Sequence, residues 1–114
     1  MEITLKLDQW DIQSELTFEV DREKFTDEKA KHVNEFWTGA ATRRRQDGDD
    51  FRAAIKLYAQ ACFRLIAFND FKDEDYVMRQ INEDEEGFYA FDEIGLKLKS
   101  IDNWCIEYNH ISFD

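Results

Sequence analysis

Residues 82–93, NEDEEGFYAFDE, carry oxygen-bearing side chains at the spacing of a calcium loop. Laid over D-x-[DN]-x-[DN]-G-x5-E, Asn82, Asp84, Glu86 and Glu93 take the first, third, fifth and twelfth positions. Gly87 takes the sixth, where such a loop turns sharply. A hard cation could use that set of oxygens, but the surroundings argue against it. The first position is an amide rather than a carboxylate, the fifth is the longer Glu, and Tyr89 occupies the eighth, where a β-branched or Leu side chain normally sits. A strand-like GLKLKSI follows where a second helix should stand, and no second loop pairs with the first. The segment is therefore expected to be an acidic turn in which Gly87 stops a helix and Phe88 and Phe91 anchor the chain on the core. No metal and no cofactor are expected.

Other chemistries find less support. His32 and His110 are the only histidines, and neither has a Cys or His at ligand spacing, so surface or half-buried roles are expected. Ser14, Ser100 and Ser112 lie in strand-like runs without a nucleophile elbow. Four unclustered glycines make no phosphate-binding loop. Carboxylates are too numerous for any acid–base couple to stand out. The residue types thus point away from an enzyme.

Charge is the stronger signal. The net charge is −11, and residues 69–95 hold ten acids against two bases. Asp70, Asp73, Glu74 and Asp75 crowd a predicted helix start, where the helix dipole favours them. Glu83, Asp84, Glu85 and Glu86 crowd the other end, where they oppose the dipole and repel one another. Such a locally unfavourable cluster points to a contact with a basic partner. A field of this sign repels free nucleic acid, since affinity there comes from neutralising phosphates with Lys and Arg. The one basic cluster, Arg43, Arg44 and Arg45, lies in TRRRQDGDD, expected to be a solvated loop. Its functional alternative is a contact for phosphate or an acidic partner.

The elements that must carry these residues follow from periodicity. EITLKL and IQSELTFEV alternate apolar and polar residues, which predicts a hairpin over 2–7 and 12–20. Thr26 is a predicted N-cap for a helix over 27–38 that ends near Gly39. Asp49 or Asp50 caps a second helix over 51–68, whose polar side chains form one narrow ridge at Arg52, Lys56, Gln60 and Arg64. A helix so apolar elsewhere is buried on several sides, as the core of the domain or against another copy. A third helix is predicted over 73–83, with Tyr76, Val77, Gln80 and Ile81 facing inward. Period two returns in GLKLKSI and WCIEYNHISF, predicting a second hairpin over 96–101 and 104–113. The expected class is α+β: one antiparallel sheet with two or three helices on one face.

At 114 residues a single domain, 1–114, is expected. With 43% hydrophobic residues and ten Phe, the chain has apolar surface enough to order itself despite its charge. Cys62 and Cys105 sit inside apolar patterns and are expected to be buried thiols in a reducing compartment. No signal-peptide core opens the sequence and no apolar run reaches a membrane span of about 20 residues, so a cytoplasmic protein is expected.

The stretches WDIQSELTFEVD, VNEFW and FNDFKDED resemble an uncharacterised family of small acidic proteins from proteobacteria and their prophages. In type alone, the chain is similar to phage-encoded inhibitors of host defence, whose carboxylates stand in for DNA phosphates. That resemblance implies a basic, nucleic-acid-binding protein as partner. The leading expectation is a non-enzymatic binding protein acting through its acidic face. The alternatives are a structural or regulatory homo-oligomer packed through helix 51–68, and a ligand-binding domain or small enzyme with an aromatic pocket from Trp37, Phe88, Tyr89 and Trp104.

Overall fold

The computed structural model describes residues 1–9, 12–69, 73–84 and 87–102, with side chains for all of these except 7–9, 12–14, 67–69, 84 and 102. Two alternating segments form β1 (Glu2–Gln9) and β2 (Ile12–Val20), antiparallel, with Ile3 opposite Phe18 and Leu5 opposite Leu16. On the other side of β2 lies β3 (Leu96–Asp102), also antiparallel, with Val20 opposite Leu96. The described sheet is thus β1-β2-β3, and the class is α+β, as the periodicity predicts. The second strand of the predicted C-terminal hairpin, 104–113, lies outside the described residues.

One irregularity decides which side chains of β3 point inward. Phe18 pairs with Leu98 while Thr17 pairs with Ser100, so Lys99 has no partner of its own and the register slips by one. Strict alternation would turn Ile101 away from Leu96 and Leu98. The bulge restores it to the inner face, where it packs against the core. The outer face is polar: Thr4 and Thr17 share a hydrogen bond of 3.0 Å, Lys6 pairs with Glu15, and Lys99 pairs with Glu2.

The helices cover the inner face. The first, α1 (Asp27–Phe36), starts as predicted, with the Thr26 hydroxyl accepting from Lys29 N–H, and buries Ala30, Val33 and Asn34. It stops at Phe36 rather than near Gly39. Gly39 instead precedes α2 (Ala40–Asp47), a helix where the sequence predicts a loop. Periodicity misses α2 because the helix buries no residue and so writes no apolar stripe. Next, α3 (Asp50–Asn69) begins where Asp49 Oδ1 accepts from Arg52 N–H. Its buried side chains include Ala54, Ile55, Tyr58, Cys62 and Ile66, and its exposed edge is the predicted ridge of Arg52, Lys56, Gln60 and Arg64. The chain's own core covers the buried side of this helix, while Phe51, Leu57, Phe63 and Leu65 remain partly exposed. The predicted third helix is α4 (Glu74–Asp84), with Val77 and Ile81 buried and Tyr76 and Gln80 half-buried. A short turn, α5 (Phe91–Ile94), precedes β3 and escapes the sequence reading altogether.

Cys62 is a buried free thiol, and burial pushes its pKa up, keeping it protonated. Cys105 lies outside the described residues. Among the described residues, no helix is long and apolar enough to cross a membrane.

Candidate interaction surface

The calcium-like segment is built as a bridge between α4 and β3. Asn82, in the last turn of α4, turns its Oδ1 back to accept from Phe91 N–H at 2.9 Å. The amide that would have been the first metal ligand thereby holds the start of α5. Gly87 adopts φ +85°, and a Cβ there would sink into the ring of Phe36. Phe36 is otherwise half exposed, so the glycine is what lets this ring pack against the turn. Phe91 is buried and Phe88 packs 4.5 Å from the ring of Tyr58, which confirms both as anchors. Tyr58 fixes the segment further by donating its hydroxyl to the Tyr89 carbonyl at 2.7 Å. Burial pushes the Tyr58 pKa up, so this donor stays protonated. Among the described residues, no three His, Cys, Asp or Glu side chains gather closely enough to hold a metal ion.

The candidate carboxylates have different fates. Asp73 caps α4, accepting from the N–H groups of Asp75 and Tyr76 at 3.0 and 3.3 Å. Glu74 is half-buried, while Asp75 and Glu83 are exposed. Asp75 and Glu83 share a helical face with Arg79 midway between them, four residues from each. Asp70, Glu85 and Glu86 lie outside the described residues, as does the side chain of Asp84. Of the expected ridge from Glu83 to Glu86, therefore, only Glu83 has a described side chain. Asp92 and Glu93, exposed on α5, extend the acidic surface beyond the densest run of acids in the sequence.

Ion pairing is uneven among the described acids, although Asp21, Glu23, Glu28 and Asp49 lack an ion pair as well. Glu2, Glu15, Glu19, Asp27, Glu35, Asp47 and Asp50 all meet a basic group within 4.0 Å, or the N-terminal ammonium in the case of Glu19. Among the described residues, none of Asp73, Glu74, Asp75, Glu83, Asp92 or Glu93 has such a partner. Exposed pairs add little stability, but they cancel local field. The described carboxylates of α4 and α5 are not locked in such pairs, with Arg79, Lys24 and Lys97 the bases nearest them in the fold.

The arginine cluster is largely consumed by the fold. Arg43 donates Nε to Asn34 Oδ1 at 2.8 Å, Nη1 to the Thr38 carbonyl, and Nη2 to the carbonyls of Asn34 and Trp37. Arg44 bonds Asp50 and Glu35. Only Arg45 is exposed and without an ion pair among the described residues, its one bond being to Thr42 Oγ1. His32, exposed as expected, bonds the Tyr89 hydroxyl at 2.9 Å.

Two concavities among the described residues bear on the candidate sites. The larger, about 940 Å³, runs between α4, α5 and the ends of β2 and β3. Its acids Glu19, Asp21, Asp75 and Asp92 face the bases Lys24, Arg79 and Lys97, so its charge is mixed. The smaller, about 330 Å³, has Trp37 and Phe88 in its wall, as the aromatic-pocket reading expects. Tyr89 does not line it, and Trp104 lies outside the described residues.

Comparison with known proteins gives a match to a family over residues 15–113, described as a protein of unknown function. The resemblance to an uncharacterised family is thus borne out. No curated protein and no solved structure matches the chain.

Proposed function

The chain belongs to the DUF2528 family, whose description assigns no function, and from its geometry we propose that it is a non-enzymatic binding protein that docks a basic macromolecular surface. The contact is made by Asp75, Glu83, Asp92 and Glu93, and Asp70, Asp84, Glu85 and Glu86, which lie outside the described side chains, belong to the same acidic stretch of sequence. One observation carries this reading: seven described carboxylates between Glu2 and Asp50 are ion-paired, whereas none of the described carboxylates from Asp73 to Glu93 is. A surface evolved only for solubility gains nothing from that division. A surface that must attract a cationic partner loses field with each internal pair. The bridge of Asn82, Gly87 and the Phe88 and Phe91 anchors holds α4 and α5 in fixed relation, so the carboxylates meet the partner pre-ordered. In its sharper form the partner is a nucleic-acid-binding protein and the carboxylates occupy its phosphate sites.

The test is affinity capture from lysate with the native chain and with a variant carrying Asp75→Asn, Glu83→Gln, Asp92→Asn and Glu93→Gln. The native chain should retain basic proteins that elute as NaCl rises from about 50 to 500 mM, where the screening length shrinks several-fold. The variant should lose them. Duplex DNA added in competition should displace the partner if the phosphate-site form holds. A partner held equally by the variant, or undiminished at high salt, overturns the proposal.

A further inference from the structure

We infer that the 330 Å³ cavity between Trp37, Phe88 and α3 binds a small organic anion, an aromatic carboxylate of one or two rings. The first observation is charge. In a chain of net charge −11, this cavity is lined among the described residues by two arginines, Arg43 and Arg64, and by no carboxylate. The larger groove offers the contrast, since each of its bases has acids in the same lining.

The second observation is the state of those arginines. A guanidinium has five N–H donors. Arg43 uses four, on Asn34 Oδ1 and three carbonyls, which fixes its plane and leaves one Nη1–H. Those bonds reach neutral acceptors, so the positive charge itself is not cancelled. Arg64 makes no ion pair and no hydrogen bond among the described residues, and Gln60, one turn before it on α3, likewise has no side-chain bond. Two cations with no counter-charge between them among the described residues favour an anion, and a planar carboxylate suits the arginine fork.

The third observation is the rest of the wall. Trp37 and Phe88 stand with ring centroids 5.9 Å apart, tilted at 46°, and Leu57 and Ala61 complete an apolar side. A volume of this size lies at the low end of the range for ligand pockets, about 300–1,000 Å³, which suits a one- or two-ring molecule. An apolar body against the rings and a carboxylate toward the arginines satisfies both halves of the cavity. This site is separate from the acidic surface, and the two proposals stand or fall independently.

The probes are phenylacetate and indole-3-acetate, with neutral phenylacetamide and inorganic phosphate as controls, followed by ¹H–¹⁵N correlation spectra of the full chain. Both carboxylates should shift the indole N–H of Trp37 and the Nε–H of Arg43 saturably, with Kd between about 10 µM and a few mM. Phenylacetamide and phosphate should bind at least about tenfold more weakly. Arg64→Gln, at an exposed position, should keep the native spectrum and weaken the carboxylates by a similar factor. Equal affinity for the amide, equal shifts with phosphate, no saturation by either carboxylate below about 10 mM, or a well-folded Arg64→Gln that binds as the native chain does, each overturns the inference.

Discussion

Asn34 is the only fully buried polar side chain among the described residues, and the N-terminal helices are organised around it. Its Nδ2 donates to the Ala40 carbonyl and to Asp50 Oδ1, while its Oδ1 receives Arg43. One amide therefore ties α1 to the starts of α2 and α3. Burial alone would raise the Asp50 pKa, but hydrogen bonds from Asn34 and Arg44 and the Arg44 charge outweigh it, and the net shift is downward from 3.8. A carboxylate with a depressed folded-state pKa contributes stability above its unfolded value and loses it as pH falls through the folded one. Asp50→Asn should thus be less stable than the native chain at pH 7, and the gap should close as pH falls below 3.8. Urea titrations across pH check this, and a gap that stays constant to the lowest pH removes Asp50 as its source. None of this was legible in the sequence. Asn34 looked like any polar position on a helix, because the partners that make it central are brought in by a turn at Thr38 and Gly39. Cys62 was legible, since its apolar neighbours at helical spacing already place it inside.

At the scale of elements, what could be read was what buries an apolar face. Both strands of the first hairpin, α1, α3 and α4 each carry a stripe, and each was found with ends shifted by a residue or two. The Thr26 cap and the α3 ridge followed from the same logic. The features that were missed have no stripe. Polar contacts hold α2, α5 has four residues, and the bulge at Lys99 is a matter of pairing rather than composition. The candidate surface divides in the same way. The acidic run was plain in the sequence, but ion pairing depends on which elements lie side by side, so the contrast between paired and unpaired carboxylates was not. The turn between α5 and β3 gives an element-scale prediction. Gly95 has φ +73°, and a Cβ there would stand 2.7 Å from Lys24 Cβ and 2.9 Å from the Asp21 carbonyl oxygen. That carbonyl closes the turn after β2 by accepting from Phe25 N–H, so it cannot easily retreat. Gly95→Ala should cost about 2 kcal/mol or more, from backbone strain and displaced packing together. Denaturant unfolding measures it, and a change within about 0.5 kcal/mol would show that the turn yields freely.

For the molecule as a whole, long-range repulsion competes with local pairing. The exposed ion pairs are worth little each, whereas a net charge of −11 acts on every carboxylate at once. Screening should therefore help more than it harms. Raising NaCl from about 10 to 300 mM, which contracts the Debye length from about 30 Å to below 10 Å, should raise Tm by several degrees. Calorimetry at constant pH reads this directly, and a falling Tm would mean that the pairs around Glu35, Arg44 and Asp50 dominate instead. Salt would then act in opposite senses on the two properties of this protein, strengthening the fold while loosening the acidic contact.

The central place of β2 has a consequence for how the chain is made. Its inner residues Phe18 and Val20 pair with Leu98 and Leu96, yet the entire helical layer lies between these strands in sequence. A nascent chain emerging from the ribosome presents the β1–β2 hairpin before the helices and β3. With synthesis at about 5–20 residues per second, that hairpin waits on the order of ten seconds for β3 to emerge. During that interval Leu16, Phe18 and Val20 await their final cover, and one edge of β2 lies open to any passing strand. The hairpin is therefore where a chaperone would grip this protein, and where crowded polysomes would first lose it to aggregation.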